Sequence, residues 1–281
     1  MKPVLFAIFS ILTVSTLFAQ DTSGTKYGWQ KQAVAGFNLS NAYYHKWAAG
    51  GENALTWNLK LKGKLVEERE KTTWKNTGKM EYGQTKVTGS GFRKSLDEIF
   101  FESVYGYKLT TLLNPYASAS LQSQFAKGYD YEQSPDAIVS AFWNPGYITQ
   151  SVGMGFKPLT DLIVRLGFSL KETFAGKYGD YADNLDTDKK ETVKVEPGLE
   201  LITDYEYKLS DIAMYVTKWN LFINFEGMDE IDSRWENRIN AQISKYINVN
   251  AGLELFYDVS TGERSTQWKQ DVALGMNFNL L

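Results

Sequence analysis

Lys60, Lys62 and Lys64 occupy every second position of one segment, and Arg234, Glu236 and Arg238 do the same in another. Alternate residues share a side only in an extended strand, so each trio marks one charged face. The same phase puts Lys75, Lys79, Arg165, Lys171, Lys194, Lys218 and Lys269 on polar faces, with Glu81, Glu98, Glu102, Glu196, Glu200, Glu254, Asp258 and Asp271. Charges in mid-strand must be solvated or paired, because bare burial of a charge is costly. Two chemistries follow. A nearly balanced set can pair across strands and fill an interior, or it can line a narrow pore for small polar solutes. A channel for acidic sugars would show a mostly basic lining instead.

Other reactive side chains are sparse. His45 is the only histidine, and it stands among Tyr43, Tyr44 and Trp47. A hydrolase would need such a general base, but no Ser or Asp stands at a recognisable offset. No enzyme is therefore expected, with His45 as the one exception. Asp183, Asp186 and Asp188 have the oxygen density that calcium favours, without the central glycine and distal glutamate of the helix-loop-helix pattern. A solvated acidic loop accounts for them equally. Tyr129, Tyr131, Trp143, Tyr178 and Tyr181 could gather and stack on a sugar, although an aromatic girdle explains them without one. No phosphate loop, dinucleotide fingerprint or His/Cys metal cluster occurs, and no cofactor is expected.

The elements that must position these residues are strands. Trp268, Val272, Leu274, Met276, Phe278 and Leu280 alternate with Lys269, Asp271, Ala273, Gly275, Asn277 and Asn279. Leu55, Trp57, Leu59, Leu61 and Leu65 alternate likewise with Thr56 and the three lysines. A short turn recurs around Lys108, Lys157, Lys208 and Lys245, at intervals of 49, 51 and 37 residues. Each interval holds two alternating segments and a longer polar loop, the plan of an up-and-down barrel. The aromatic heads of these turns, Tyr107, Phe156, Tyr207 and Tyr246, are placed for a membrane interface. The spacing predicts an all-β transmembrane antiparallel barrel of about 12 strands, within a range of 10 to 14. A soluble β-sandwich would also alternate, but it would not carry charge along the middle of its strands.

Residues 1–19 read as a signal peptide, with Lys2, an apolar run and Ala19 before the expected cleavage point. Residues 20–32 then form a short periplasmic lead-in and residues 33–281 the barrel. With no cysteine, neither a disulfide scaffold nor a cysteine-anchored lipoprotein is available. The net charge of −3 is interspersed and argues against nucleic-acid binding. Aromatics at 15% exceed what a soluble domain needs and suit two interfacial girdles.

Several local signatures occur together: Trp47-Ala48-Ala49-Gly50-Gly51-Glu52-Asn53, Arg93-Lys94-Ser95-Leu96-Asp97, Tyr105-Gly106-Tyr107-Lys108, Gln124-Phe125-Ala126-Lys127-Gly128-Tyr129 and Phe142-Trp143-Asn144-Pro145-Gly146-Tyr147. As a set they resemble a domain-of-unknown-function family of Bacteroidetes-type exported proteins, thought to be outer-membrane barrels. The resemblance runs from Trp29 to Phe156 and carries no known activity, cofactor or site residue. Gly275-x-x-Phe278-x-Leu280 also resembles the signal read by the barrel assembly machinery, although Ala273 and Leu281 depart from it. The expected location is the bacterial outer membrane with both termini periplasmic. The expected partners are membrane lipid, lipopolysaccharide and the assembly machinery, besides an unidentified small polar solute or surface ligand.

Overall fold

The computed structural model describes residues 27–43, 52–131, 137–159, 161–178, 181–183, 188–227, 231–257 and 266–281. The first strands are β1 (Gly28–Ala42), β2 (Ala54–Glu68), β3 (Thr72–Val87), β4 (Arg93–Tyr107) and β5 (Leu113–Ser123). After a small hairpin of β6 (Gly128–Asp130) and β7 (Ala137–Ser140) come β8 (Gly146–Leu159), β9 (Leu162–Phe174) and β10 (Val193–Lys208). β11 (Ala213–Asn224), β12 (Ile231–Gln242), β13 (Ile247–Tyr257) and β14 (Gln267–Asn279) complete the set. Twelve of these close into an all-antiparallel barrel in the order β1-β14-β13-β12-β11-β10-β9-β8-β5-β4-β3-β2. The count and the up-and-down order are those expected from the alternation.

Two boundaries differ from that expectation. Pairing with β2 begins at Gly28 opposite Glu68, so residues 28–32 belong to the barrel and not to a lead-in. Their mixed polarity hid the strand, because both faces of a strand end are wetted. The expected loop after β5 holds β6, which pairs with β7 in a hairpin too short to show a period.

The outer face is apolar. Leu59, Leu61, Leu65, Phe101, Leu166, Phe168, Val272 and Leu274 are all well exposed. So large an apolar exterior is a lipid-facing surface, and the ring of strands that carries it closes through β1 and β14. Tyr107, Phe156, Tyr207 and Tyr246 project outward at the short-turn end.

The repeated turns share a local cause. The hydroxyl of Thr110 accepts the Leu113 amide at 2.8 Å, that of Ser210 the Ala213 amide at 3.1 Å, and that of Ser244 the Ile247 amide at 3.1 Å. A hydroxyl that satisfies a turn amide replaces the missing ladder partner.

Candidate functional site

Register puts the charged trios on the inner face. Lys60 pairs with Glu81 and Lys62 with Lys79 across β2–β3, and Glu81 pairs with Glu98 across β3–β4. Arg234, Glu236 and Arg238 share their face with Glu254 on β13, and Lys269 and Asp271 continue it on β14. Arg165 and Glu200 face inward on β9 and β10, and Glu102 does so on β4.

These charges are not spread evenly round the lumen. Arg165 holds Glu102 at 2.8 Å and lies 3.5 Å from Asp204. Lys79 pairs with Glu98 at 2.7 Å, Lys171 with Asp232 at 2.6 Å, and Lys194 with Glu196 at 2.8 Å. Arg234 meets Glu254 at 2.8 Å and Glu236 at 3.1 Å. Two contacts cross the interior: Glu98 on β4 lies 3.9 Å from Arg234 on β12, and Glu102 lies 3.8 Å from Lys218 on β11. Phe100 on β4 joins this belt, with Lys218 Nζ 5.4 Å from its ring centre.

The crossing contacts fix the shape of the lumen. β4 and β12 stand half the ring apart. Twelve strands about 4.8 Å apart and tilted about 40° would close to a circle roughly 24 Å across. Extended arginine and glutamate side chains reach roughly 7 and 5 Å, so a contact between them needs backbones within about 16 Å. The barrel is therefore narrowed along the β4–β12 axis, and the narrowing divides its interior into two lobes.

The lobe lined by β5, β8, β9 and β10 is filled. Arg165 and Glu102 keep only 6% and 8% of their side-chain surface. Tyr116, Ser151, Glu196, Glu200 and Ile202 are buried beside them. The Tyr116 hydroxyl bonds Ser151 Oγ at 2.9 Å, and the Arg165 guanidinium lies 5.6 Å from the centre of its ring. Glycines make the room. A Cβ on Gly167 would come within 2.6 Å of the Tyr116 hydroxyl, and one on Gly198 within 2.7 Å of the Phe222 ring.

The lobe lined by β1, β2, β13 and β14 stays wet. Lys62 keeps 50% of its side-chain surface, Lys269 61% and Asp271 41%. Two of its ion pairs are long, Lys62 to Glu81 at 3.9 Å and Arg238 to Asp271 at 4.0 Å, while Lys269 meets Glu254 at 2.7 Å beside the belt. Lys60 stands opposite Glu81 in the register, but among the described residues no ion pair within 4 Å joins Lys60, Lys64 or Lys75 to a carboxylate. The close pairing is therefore concentrated in the belt and the filled lobe, and it is sparser in the open lobe. Asp204 and Asp232, which belong to the belt, were missed from the pattern. Asp204 sits in the ambiguous phase near Tyr205, but Asp232 stands two residues before Arg234 and was legible.

At the long-loop end three of the signature motifs, 93–97, 124–129 and 142–147, converge. Asp97 accepts the amides of Phe125 at 2.7 Å and Ala126 at 2.9 Å, and Lys94 Nζ at 3.0 Å. Lys94 Nζ also donates to Gln124 Oε1 at 2.9 Å and to the Ala126 carbonyl at 3.0 Å. Asn144 Oδ1 accepts the amides of Gly176 at 3.0 Å and Lys177 at 2.9 Å, while its Nδ2 donates to the Tyr178 carbonyl at 2.6 Å. Two side chains, Asp97 and Asn144, thus tie the β5–β8 and β9–β10 loops to the rim. Beneath them lies a cavity of about 320 Å³, lined by Asp97, Glu98, Gln122, Tyr147, Arg234 and Lys269 and also touched by Tyr181. Burial pushes the Tyr181 phenol upward, so it remains a hydrogen-bond donor.

The remaining candidates separate. His45 and Asp186 lie outside the described residues. The Asp183 carboxylate accepts the Glu191 amide at 2.9 Å, and among the described residues no group of three metal-binding side chains forms. Tyr129 and Tyr131 stand 6.1 Å apart, but Trp143 packs instead on Phe174 at 6.2 Å, so the five outer aromatics make no single platform.

No curated protein matches the sequence. Among solved structures the chain is similar to the NanC porin (10% identity, 89% of this chain and 100% of that one, TM-score 0.44). It is also similar to an outer membrane channel from Pseudomonas putida F1 (11% identity, 94% and 98%, TM-score 0.44). The translocator domain of the autotransporter NalP from Neisseria meningitidis shows 13% identity, 92% and 90% coverage and a TM-score of 0.40. In sequence, residues 39–129 match the family described as "Protein of unknown function (DUF3078)", a span that holds Lys94, Asp97 and Gln124 of the rim together with Glu98 and Glu102 of the belt.

Proposed function

We propose that this chain is an integral barrel of the bacterial outer membrane whose narrowed lumen is a passage for small polar solutes. The observation that carries this is the contrast between the lobes: Lys62 is half exposed, while Arg165 and Glu102 are almost wholly enclosed. Water therefore reaches mid-strand on one side of the belt only. The short turns and both termini face the periplasm in this reading, and the rim tied by Asp97 and Asn144 faces outside. Membrane lipid and lipopolysaccharide cover the apolar face. The barrel assembly machinery inserts the chain. No catalysis is assigned.

Planar-bilayer recording of the purified barrel tests the proposal. A small, steady unitary conductance is expected, and silence at every salt concentration and voltage would overturn it. The contact of Glu98 with Arg234 favours a second reading, in which the belt shuts the lumen and the barrel serves structure, adhesion or binding of a surface ligand. Silence in the recording is the outcome that reading requires.

A further inference from the structure

We infer that the open lobe is selective for small anions. The inference rests on the passage proposed above and names what passes. Over the whole inner face the charges nearly balance, but the belt redistributes them. Glu98, Glu102, Glu196, Asp204, Asp232 and Glu236 all lie within 4 Å of a cation on the belt or in the filled lobe. Glu200 is buried there too.

The inward charges of β1, β2, β13 and β14 are then four lysines against three carboxylates: Lys60, Lys62, Lys64 and Lys269 against Glu68, Glu254 and Asp271. Glu68 is held by Lys108 at the strand end, and Glu81 faces Lys60 and Lys62 from β3. Glu254 is already committed, at 2.8 Å from Arg234 and 2.7 Å from Lys269. Lys60 and Lys64 close no ion pair within 4 Å among the described residues, and neither does Lys75 on the adjoining strand.

An excess of ammonium groups over carboxylates in a narrow, low-dielectric slit attracts anions and repels cations. Lysine suits transit, because its compact ammonium binds as a point charge without a rigid fork. The solute class is therefore small inorganic anions and short carboxylates, of a size that one lobe of a divided barrel admits.

The reversal potential of the full-length barrel in a planar bilayer under a tenfold potassium chloride gradient reads this directly. A chloride-over-potassium permeability ratio above about 3 is expected for a slit lined by unpaired cations. The double variant Lys60→Glu/Lys64→Glu should lower that ratio at least about threefold, and Lys60→Arg/Lys64→Arg should keep it. Lys127→Glu, the same charge change on an exposed loop, should leave it alone. Cold gel mobility of the unheated protein shows whether each variant folds. If the glutamates prevent folding, Lys60→Gln/Lys64→Gln should still halve the ratio, to about half the parent value. A conducting barrel with a ratio of one or below, or one that ignores both lysine substitutions, overturns the anion inference and leaves the passage standing. Absence of all current overturns the passage, and the inference with it.

Discussion

Arg165 and Lys60 look alike in a sequence pattern, since each is a cation on the polar side of a strand. Their surroundings separate them. Arg165 is enclosed with Glu102 at 2.8 Å, whereas Lys60 faces the wet lobe opposite Glu81 and closes no ion pair within 4 Å. Removing one member of a buried pair strands the other, at a cost of about 3–5 kcal/mol. A lysine that closes no ion pair costs within about 0.5 kcal/mol when truncated. Glu102→Ala is therefore expected to lower the urea midpoint of the folded barrel sharply, and Lys60→Ala to leave it almost unchanged. Equal losses in the two unfolding curves would refute the division of the lumen. Alternation told which side of a strand each residue occupies. It carried no information on which of the other eleven strands lies opposite, and pairing depends on that.

At the scale of elements, strands and turns were largely legible because their causes are local. The 12 strands announce themselves by a two-residue period, and the turn hydroxyls of Thr110, Ser210 and Ser244 recur at corresponding positions. The β6–β7 hairpin escaped notice, since three or four residues show no period. Closure was less visible. β1 meets β14 over five register pairs, against fifteen for β1 with β2. Gly275 sits at that short seam, where an added Cβ would run into the Asn38 side chain, itself bonded to Asn58 at 2.6 Å. Gly275→Val should wedge the seam by small-to-large strain of about 1–3 kcal/mol. The check is thermal: the temperature at which the compact gel band disappears should fall for Gly275→Val and hold for Ala273→Ser, one strand repeat away. A band equally heat-resistant in both variants would show that the seam tolerates a side chain there.

For the whole molecule, the narrowing across β4 and β12 is the decisive feature. It converts a roughly circular lumen into one filled and one open lobe, and Arg234 and Lys218 are the side chains that reach across. Arg234→Ala should relax the belt and raise unitary conductance about twofold or more, because the passage gains width where it is narrowest. An unchanged conductance in a folded Arg234→Ala barrel would place the constriction elsewhere.

The amino-acid sequence determined the class of object by itself. Period-two alternation, repeated turns and an apolar outer face follow from backbone geometry and from the exclusion of polar groups from lipid, both of which act residue by residue. Only the tertiary structure decided which charges meet. Ring closure brings β4 near β11 and β12, more than a hundred residues away along the chain, and Coulomb energy depends on that separation in space and not on spacing in sequence. A nearly balanced list of charges thereby became a neutralised belt beside a lysine-lined lobe.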